Sequence, residues 1–273
     1  MKRYLFVLTN ILLVITFSFC SSTSQTSEQE SDSTSIPTIQ SIHVSLGVPI
    51  DNDSTDDYLI VRPQYVLSYN KNRNVPNWVS WNLDSSWYGT VERFNGNFIS
   101  DTTLPADFYK VKHSDYTNSG YDRGHMVRSE ERTKTVEDNK STFLLTNIIP
   151  QRPDLNRGAW LKLESYCESL CKDSTKELFV IAGGIFHSDN KINDKVAIPD
   201  SCFKIVVILN YGELLESVSD TTHTVAVVMP NINGIRNDDW KKYSTTIRRI
   251  EQSTGYDFLS SVSRSIQDVI ENK

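Results

Sequence analysis

A chain of 273 residues with 38% apolar side chains can bury a substantial core, which excludes a disordered protein and leaves room for one large domain or two small ones. Its 34 acidic residues outnumber 28 Lys and Arg, a net charge of −6 that excludes a generally basic coat for nucleic acid. An enzyme acting on phosphodiesters stays open, because a locally positive cleft can sit on an acidic surface.

Residues 1–20 differ in kind from the rest: Lys2 and Arg3, an apolar run from Tyr4 to Phe19, then Cys20. That is the grammar of an export signal. The run is broken by Thr9 and Asn10 and is shorter than the roughly 20 residues that span a bilayer, so a signal is expected rather than a permanent transmembrane helix. Cys20 followed by "SSTSQTSEQESDSTS" resembles the lipidated cysteine and polar tether of a bacterial lipoprotein, although Phe17 and Phe19 stand where small residues usually precede the modified cysteine. Two readings of an exported protein therefore stay open. One is a lipoprotein of the bacterial cell envelope, touching membrane only through a lipid on Cys20; the other is a secreted or periplasmic protein. Without residues 1–20 the chain loses Lys2, Arg3 and no acid, and its net charge falls to about −8. Residues 21–40 offer almost nothing to bury and are expected to form a flexible linker, leaving 41–273 for the folded domain.

From residue 58 the pattern turns strand-like. "YLIVRPQYVLSYN" and "NWVSWNL" are aromatic and β-branched runs separated by the turn-rich "KNRNVP", which reads as a hairpin. "ERFNGNFISDTTLPADFYKVKHSDYTNSG" has little periodicity and much Asn, Asp, Ser and Pro, so a long irregular approach is expected before "SGYDRGHMV". "STFLLTNIIPQ" is a short apolar segment stopped by Pro150 and Pro153. From Asn156 to Cys171, Trp160, Leu163, Cys167 and Leu170 recur at helical spacing with charges between them. "KELFVIAGGIF" and "CFKIVVILNYG" read as strands buried on both faces, "HTVAVVMPN" as another, and "TTIRRIEQSTGYDFLSSV" as a C-terminal helix closed near Gly255. The fold class is α+β, a central antiparallel or mixed sheet flanked by few helices. Cys167, Cys171 and Cys202 are an odd number, compatible with one bridge from Cys202 or with three buried thiols. Cys167 and Cys171 lack the second ligand pair of a zinc site.

"DRGH", Asp122 to His125, on its own fits a surface ion cluster better than a catalyst. The residue types that follow within about forty positions are unusual together: Asn147, Gln151, Asn156 and Glu164. Asn156 opens the expected helix, and eight residues on, a turn of roughly 800°, Glu164 lies about 80° away in azimuth and about 12 Å along the axis. Side chains tilt toward the helix N-terminus, so the carboxylate points back toward Asn156 and leaves room for an ion with its water shell. Mg²⁺ keeps several waters, which suits one amide oxygen and a more distant carboxylate, and the helix N-terminus favours phosphate. Asn156 as a helix cap and Glu164 as a surface charge fit these spacings too.

"GYDRGHM", "LLTNIIPQ", "LNRGAWLKLE" and "FVIAGG", in that order over roughly residues 58–260, resemble the DNA/RNA non-specific endonuclease family of ββα-metal (His-Me finger) nucleases. The resemblance implies a ββα-metal motif and hydrolysis of DNA and RNA with Mg²⁺, for which Mn²⁺ could substitute, leaving 5′-phosphate ends. It also implies that His125 is the general base, that Asn156 is the direct protein ligand of Mg²⁺, and that Glu164 orients water of the ion. Arg123 is then the motif arginine near metal and phosphate. Asn147 joins this catalytic set as a residue that positions His125 or its loop, Gln151 lines the site as a substrate contact, and Arg93 in "VERFNGNF" is the upstream phosphate clamp. Arg152 and Arg157 add positive charge beside Asn156, either as strand contacts or as a solvated basic face, and His43, His113, His187 and His223 read as structural or surface residues. Rival readings are a catalytically silent surface lipoprotein that binds nucleic acid or a partner, and a nuclease of narrow specificity; intact His125, Asn156 and Glu164 weigh against the first.

Overall fold

The apolar runs become strands and pair without a parallel crossover. The structure, a computed structural model, describes residues 39–273 except Ser174, so the expected signal and the linker up to residue 38 lie outside the described residues. "YLIVRPQYVLSYN" is not one strand. Pro63, which has no N–H to give to a ladder, breaks it into β1 (Tyr58–Val61) and β2 (Val66–Asn70), and the Arg62 N–H closes the turn on the Tyr65 carbonyl at 2.9 Å. β2 then forms the expected hairpin with β3 (Val75–Leu83), turning at Asn74, whose φ of 57° suits Asn. Next come β4 (Asp122–His125), the short helix α1 (Val136–Ser141), β5 (Ile148–Gln151) and α2 (Trp160–Asp173). After these follow β6 (Lys176–Ile185), the two-residue strands β7 (Lys191–Ile192) and β8 (Val196–Ala197), β9 (Ser201–Asn210) and β10 (His223–Pro230). Helices α3 (Ile247–Thr254) and α4 (Arg264–Ile270) end the chain; α3 stops at Gly255, whose φ of 85° is the left-handed cap. Between Glu92 and Tyr121 the backbone is irregular apart from one 3₁₀ turn, His113–Tyr116, and an isolated bridge of Ile99 to Leu144.

The main sheet has six strands in the order β1-β2-β3-β6-β9-β10, antiparallel at every pairing. Both faces of it are covered, which is why β6 and β9 read as unbroken apolar runs rather than as alternation. One face carries Val79, Trp81, Val180, Cys202 and Val206 and meets Trp160, Leu163 and Cys167 of α2. The opposite face, with Trp78, Phe179, Phe203 and Ile205, is covered by Ile247 and Ile250 of α3, Phe258, Ile270 of α4, and Val44 and Leu46. β4 and β5 pair as a separate two-stranded ladder on the α2 side, Asp122 opposite Gln151 and His125 opposite Ile148. Hairpin and helix together are the ββα arrangement. Buried Asn231, just past β10, pins its end to the sheet: its amide donates to the carbonyls of Pro150 at 3.0 Å and Pro199 at 2.9 Å, and its oxygen accepts from the Arg152 N–H at 2.7 Å. No helix among the described residues is long and apolar enough to cross a membrane.

Cys167, Cys171 and Cys202 are free and buried, so the thiol alternative holds and the bridge does not form. Burial pushes the thiols of Cys167 and Cys202 up to about 12 and raises that of Cys171 further. All three should therefore stay inert to a thiol reagent in native buffer and react together along the urea unfolding transition, as labelling read by mass spectrometry would show; a site modified before unfolding would contradict their placement.

Candidate active site

The β4–β5 hairpin delivers the histidine, and backbone contacts behind it set the angle. Gly124 leaves the space that the Gln151 side chain fills, since a Cβ there would stand 2.2 Å from its oxygen. Past His125 the chain is clamped by Asn147: its backbone carbonyl accepts from the Met126 N–H and its side-chain oxygen from the Val127 N–H, both at 3.0 Å. The same amide donates to the carbonyls of Val127 at 3.0 Å and Thr142 at 2.9 Å. Asn147 is fully buried and spends its polar atoms on backbone, so it positions the loop after His125 and has no place among groups that touch substrate. Gln151 is corrected similarly. It is fully buried against Gly124 and presents no atom to solvent, so it is not a substrate contact.

The His125 ring stands between Phe98 and Phe143, with centroids 5.2 and 5.1 Å away, the second nearly perpendicular. Burial in this aromatic slot, with the charges of Arg93 and Arg128 added, lowers its pKa to about 3, so the ring is neutral at pH 7. Its Nε2 is buried and finds no hydrogen-bond partner among the described residues. The ring lines a cleft of about 310 Å³ together with Arg93, Arg128, Glu130, Asn156, Arg157 and Glu164.

Asn156 reaches this cleft by a route that helical periodicity does not describe. Leu155–Ala159 is a wide π-helical turn in which Gly158 has non-helical φ −116° and ψ −115°, and regular helix begins only at Trp160. The azimuth reckoned from a uniform helix therefore does not apply to Asn156. The reason is packing: a Cβ on Gly158 would lie 2.7 Å from the Arg236 backbone, which Asp154 pins by accepting from Arg236 Nε at 2.9 Å and the Gly234 N–H at 2.8 Å. The Asn156 amide nitrogen donates to Asp122 at 3.0 Å, which leaves its carbonyl oxygen without a donor among the described residues. Asp122 also takes two bonds from Arg157, at 2.8 and 2.6 Å, and so ties β4 to the wide turn.

Glu164, only 5% exposed, forms the cleft floor. One oxygen lies 3.5 Å from Lys204 Nζ of β9 and the other 3.8 Å from Arg128 Nε. Burial raises its pKa, and Lys204 and then Arg128 oppose that rise. Arg128 also pairs with Glu130 at 3.1 Å and Glu168 at 2.9 Å. Arg93 lies in the cleft, its guanidinium 4.9 Å over the Phe143 ring, bonded to Ser129 and paired with Glu130 at 3.1 Å. Arg123 is placed elsewhere. It donates to the His113 carbonyl at 2.7 Å and lines a neighbouring hollow with Tyr116, Tyr121 and Pro153, because the strand aims it under the irregular segment rather than into the cleft. Arg152 stacks 4.0 Å over Tyr121. Three acids with ligand oxygens within 4.8 Å of one another, Asp51, Asp56 and Asp57, lie before β1 and do not line this cleft.

A sequence profile of the family described as DNA/RNA non-specific endonuclease matches residues 47–265, four fifths of the chain and all of the cleft. The chain belongs to the DNA/RNA non-specific endonuclease family. It is 46% identical over 238 residues to a nuclease of Nostoc sp., covering 85% of this chain and 86% of that protein, and 28% identical over 214 residues to the mitochondrial endonuclease G of Homo sapiens, covering 74% and 69%. A solved EndoG/EndoGI complex superposes with a TM-score of 0.68 at 26% identity, over 81% of this chain and 91% of that one. In this member of the endonuclease family the residues beyond those expected from sequence are Arg128 and Glu130, which line the cleft, and Asp122 and Lys204, which hold its lining residues from behind. Asp122 stood inside "DRGH", and Lys204 was visible as a charge inside the apolar run "CFKIVVIL".

Asp122→Ala should free Arg157 and let the Asn156 amide rotate. We expect kcat to fall about 10- to 100-fold, the usual cost of losing a group that orients a ligand, with the far-UV spectrum unchanged. A variant with wild-type kcat would show that Asp122 serves only the surface.

Proposed function

We propose that the chain is an exported, Mg²⁺-dependent endonuclease that hydrolyses DNA and RNA with little sequence preference and leaves 5′-phosphate ends. One observation carries the catalytic reading: the neutral ring of His125 lines the same cleft as Asn156, whose carbonyl oxygen takes no donor among the described residues. A neutral amide oxygen and a carboxylate are hard oxygen donors, and they fit a hard divalent ion such as Mg²⁺, with Mn²⁺ as a substitute. Asn156 would hold it directly and Glu164 would accept hydrogen bonds from its hydration shell. When bound, the ion stabilises negative charge as it develops on the phosphate and the leaving 3′ oxygen.

The remaining chemistry belongs to the chain. The His125 ring takes the proton of the attacking water; its Phe98 and Phe143 walls keep the ring uncharged and fix its plane. An incoming phosphate brings negative charge beside the ring and raises its pKa from the low value of the free cleft, which strengthens it as a base. Arg93 and Arg157, both well exposed and each already paired with a carboxylate, are free to exchange that partner for phosphate. Contacts of this kind grip backbone and read no base edge, which supports broad specificity across DNA and RNA. Export rests on the charged start, apolar run and Cys20 of residues 1–20, with a lipid on Cys20 or free secretion as its two forms.

Supercoiled plasmid and RNA should both be cut with Mg²⁺ and neither with EDTA, and His125→Ala should lose at least about 10²-fold. Cleavage of neither polymer by the wild-type chain would overturn the reading. A pKa of about 3 keeps the imidazole in its base form at any pH above that value, so kcat/KM at saturating Mg²⁺ should hold its plateau as pH falls from 7 through 6. A half-loss near pH 6.5, the ordinary histidine value, would show that the ring is solvated in the working enzyme. Mass spectrometry of the protein from its host should find an N-terminus at or soon after Cys20; an intact Met1 would overturn export by this signal.

A further inference from the structure

Along β9, Cys202, Val206 and Ile208 face α2 among apolar neighbours, and strict alternation puts Lys204 in the same row. Its side chain is 1% exposed. A buried ammonium gives up its hydration and must be compensated by partners. Here the compensation is specific. Nζ lies 4.3 Å over the Trp160 ring and 5.5 Å over the Trp81 ring, and its one hydrogen-bond acceptor among the described residues is Glu164 Oε1, at 3.5 Å. The Trp81 N–H donates to Glu131 at 2.9 Å, so this indole is itself fixed by a second buried carboxylate. No substrate can reach Lys204, and its one hydrogen-bonded link to the cleft among the described residues is Glu164. That carboxylate is held from beneath at one oxygen, while the other looks toward Arg128 and the cleft.

We propose that Lys204 is a positioning residue of the cleavage reaction, acting from under the cleft floor to hold Glu164 Oε1 and so aim the other oxygen upward. The inference rests on the reading of Glu164 as the acid that serves the ion's hydration shell. A pair kept only for stability has no need of charge here, since apolar residues of the same volume serve a core as well or better. The pair lies directly under the cleft, where orientation of a carboxylate matters most.

The test is a double-substitution cycle in the full chain: Lys204→Met, Glu164→Gln, both together, and Lys204→Arg, with plasmid cleavage followed over Mg²⁺ and DNA concentration. Calorimetric titration with Mg²⁺ alone accompanies it. We expect Lys204→Met to lower kcat about 10- to 100-fold and to weaken Mg²⁺ binding, with KM for DNA little changed, and Lys204→Arg to recover part of the loss. In the Glu164→Gln background the same Lys204→Met change should cost less than about twofold, because the group it acts through is already gone. An equal loss in both backgrounds, a change in KM alone, or full activity of Lys204→Met would each overturn the proposal. If Lys204→Met does not fold, the double variant, which removes both charges of the pair, should fold, and Lys204→Arg carries the kinetic comparison. A wild-type chain that binds Mg²⁺ but cuts nothing overturns the endonuclease reading; a wild type that cuts, with additive variants, overturns only the role of Lys204.

Discussion

The packing of α2 across one face of the antiparallel sheet is the constraint from which the cleft follows. Trp160, Leu163 and Cys167 are buried against Val180, Val206 and their neighbours, and that contact sets both the height and the rotation of the helix. Once the helix is seated, Glu164 has only one place to go, the narrow space above Lys204. The wide turn before the helix is then held from outside by Asp154 and the backbone of Arg236, and from the hairpin by Asp122. Cleft geometry is thus inherited from core packing and two carboxylates. A shift of the helix along the sheet would carry Asn156 and Glu164 away from His125 together.

Charge inside the cleft is paired, acid against arginine. The described body belongs to a chain of net charge −6, yet Arg93, Arg128 and Arg157 converge on one 310 Å³ hollow with Glu130 and Glu164 between them. The acids keep the arginines ordered and partly neutralised. Beneath this layer the electrostatics change character. Lys204, Glu131 and Arg132 are buried among tryptophans, where each charge must be matched locally; Arg132, for example, stacks 4.0 Å over Trp87 and donates to the carbonyls of Gln64 and Asn82. Surface pairs tune access, while the buried ones hold shape.

Some of the site was legible because its signals are local. "DRGH" with "NRGAWLKLE" marked His125, Asn156 and Glu164, and all three line the cleft; Arg93 does too. Arg123, Asn147 and Gln151 were expected at the site from the same resemblance; Asn147 clamps the loop after His125, while the side chains of Arg123 and Gln151 go elsewhere, under the irregular segment and into the hairpin interior. Proximity in sequence says nothing about which face of a two-residue repeat looks outward until the strand has a partner. The helix start was misplaced for a similar reason, since the non-helical Gly158 answers to Arg236, nearly eighty residues away.

Periodicity and turn chemistry by themselves determined the α+β class, the strands β6, β9 and β10, the amphipathic α2 and the later helix α3, because each depends on residues within a few positions of one another; the histidine site was marked by the family resemblance of its motifs. Pairing order, the division of β1 from β2 into separate strands, the free state of the three cysteines and the burial of Lys204 under Glu164 were decided only by the tertiary structure. Those features arise where distant segments compete for the same space. Whether a charge in an apolar strand meets solvent, a cysteine or a carboxylate is settled by what the rest of the chain lays over it.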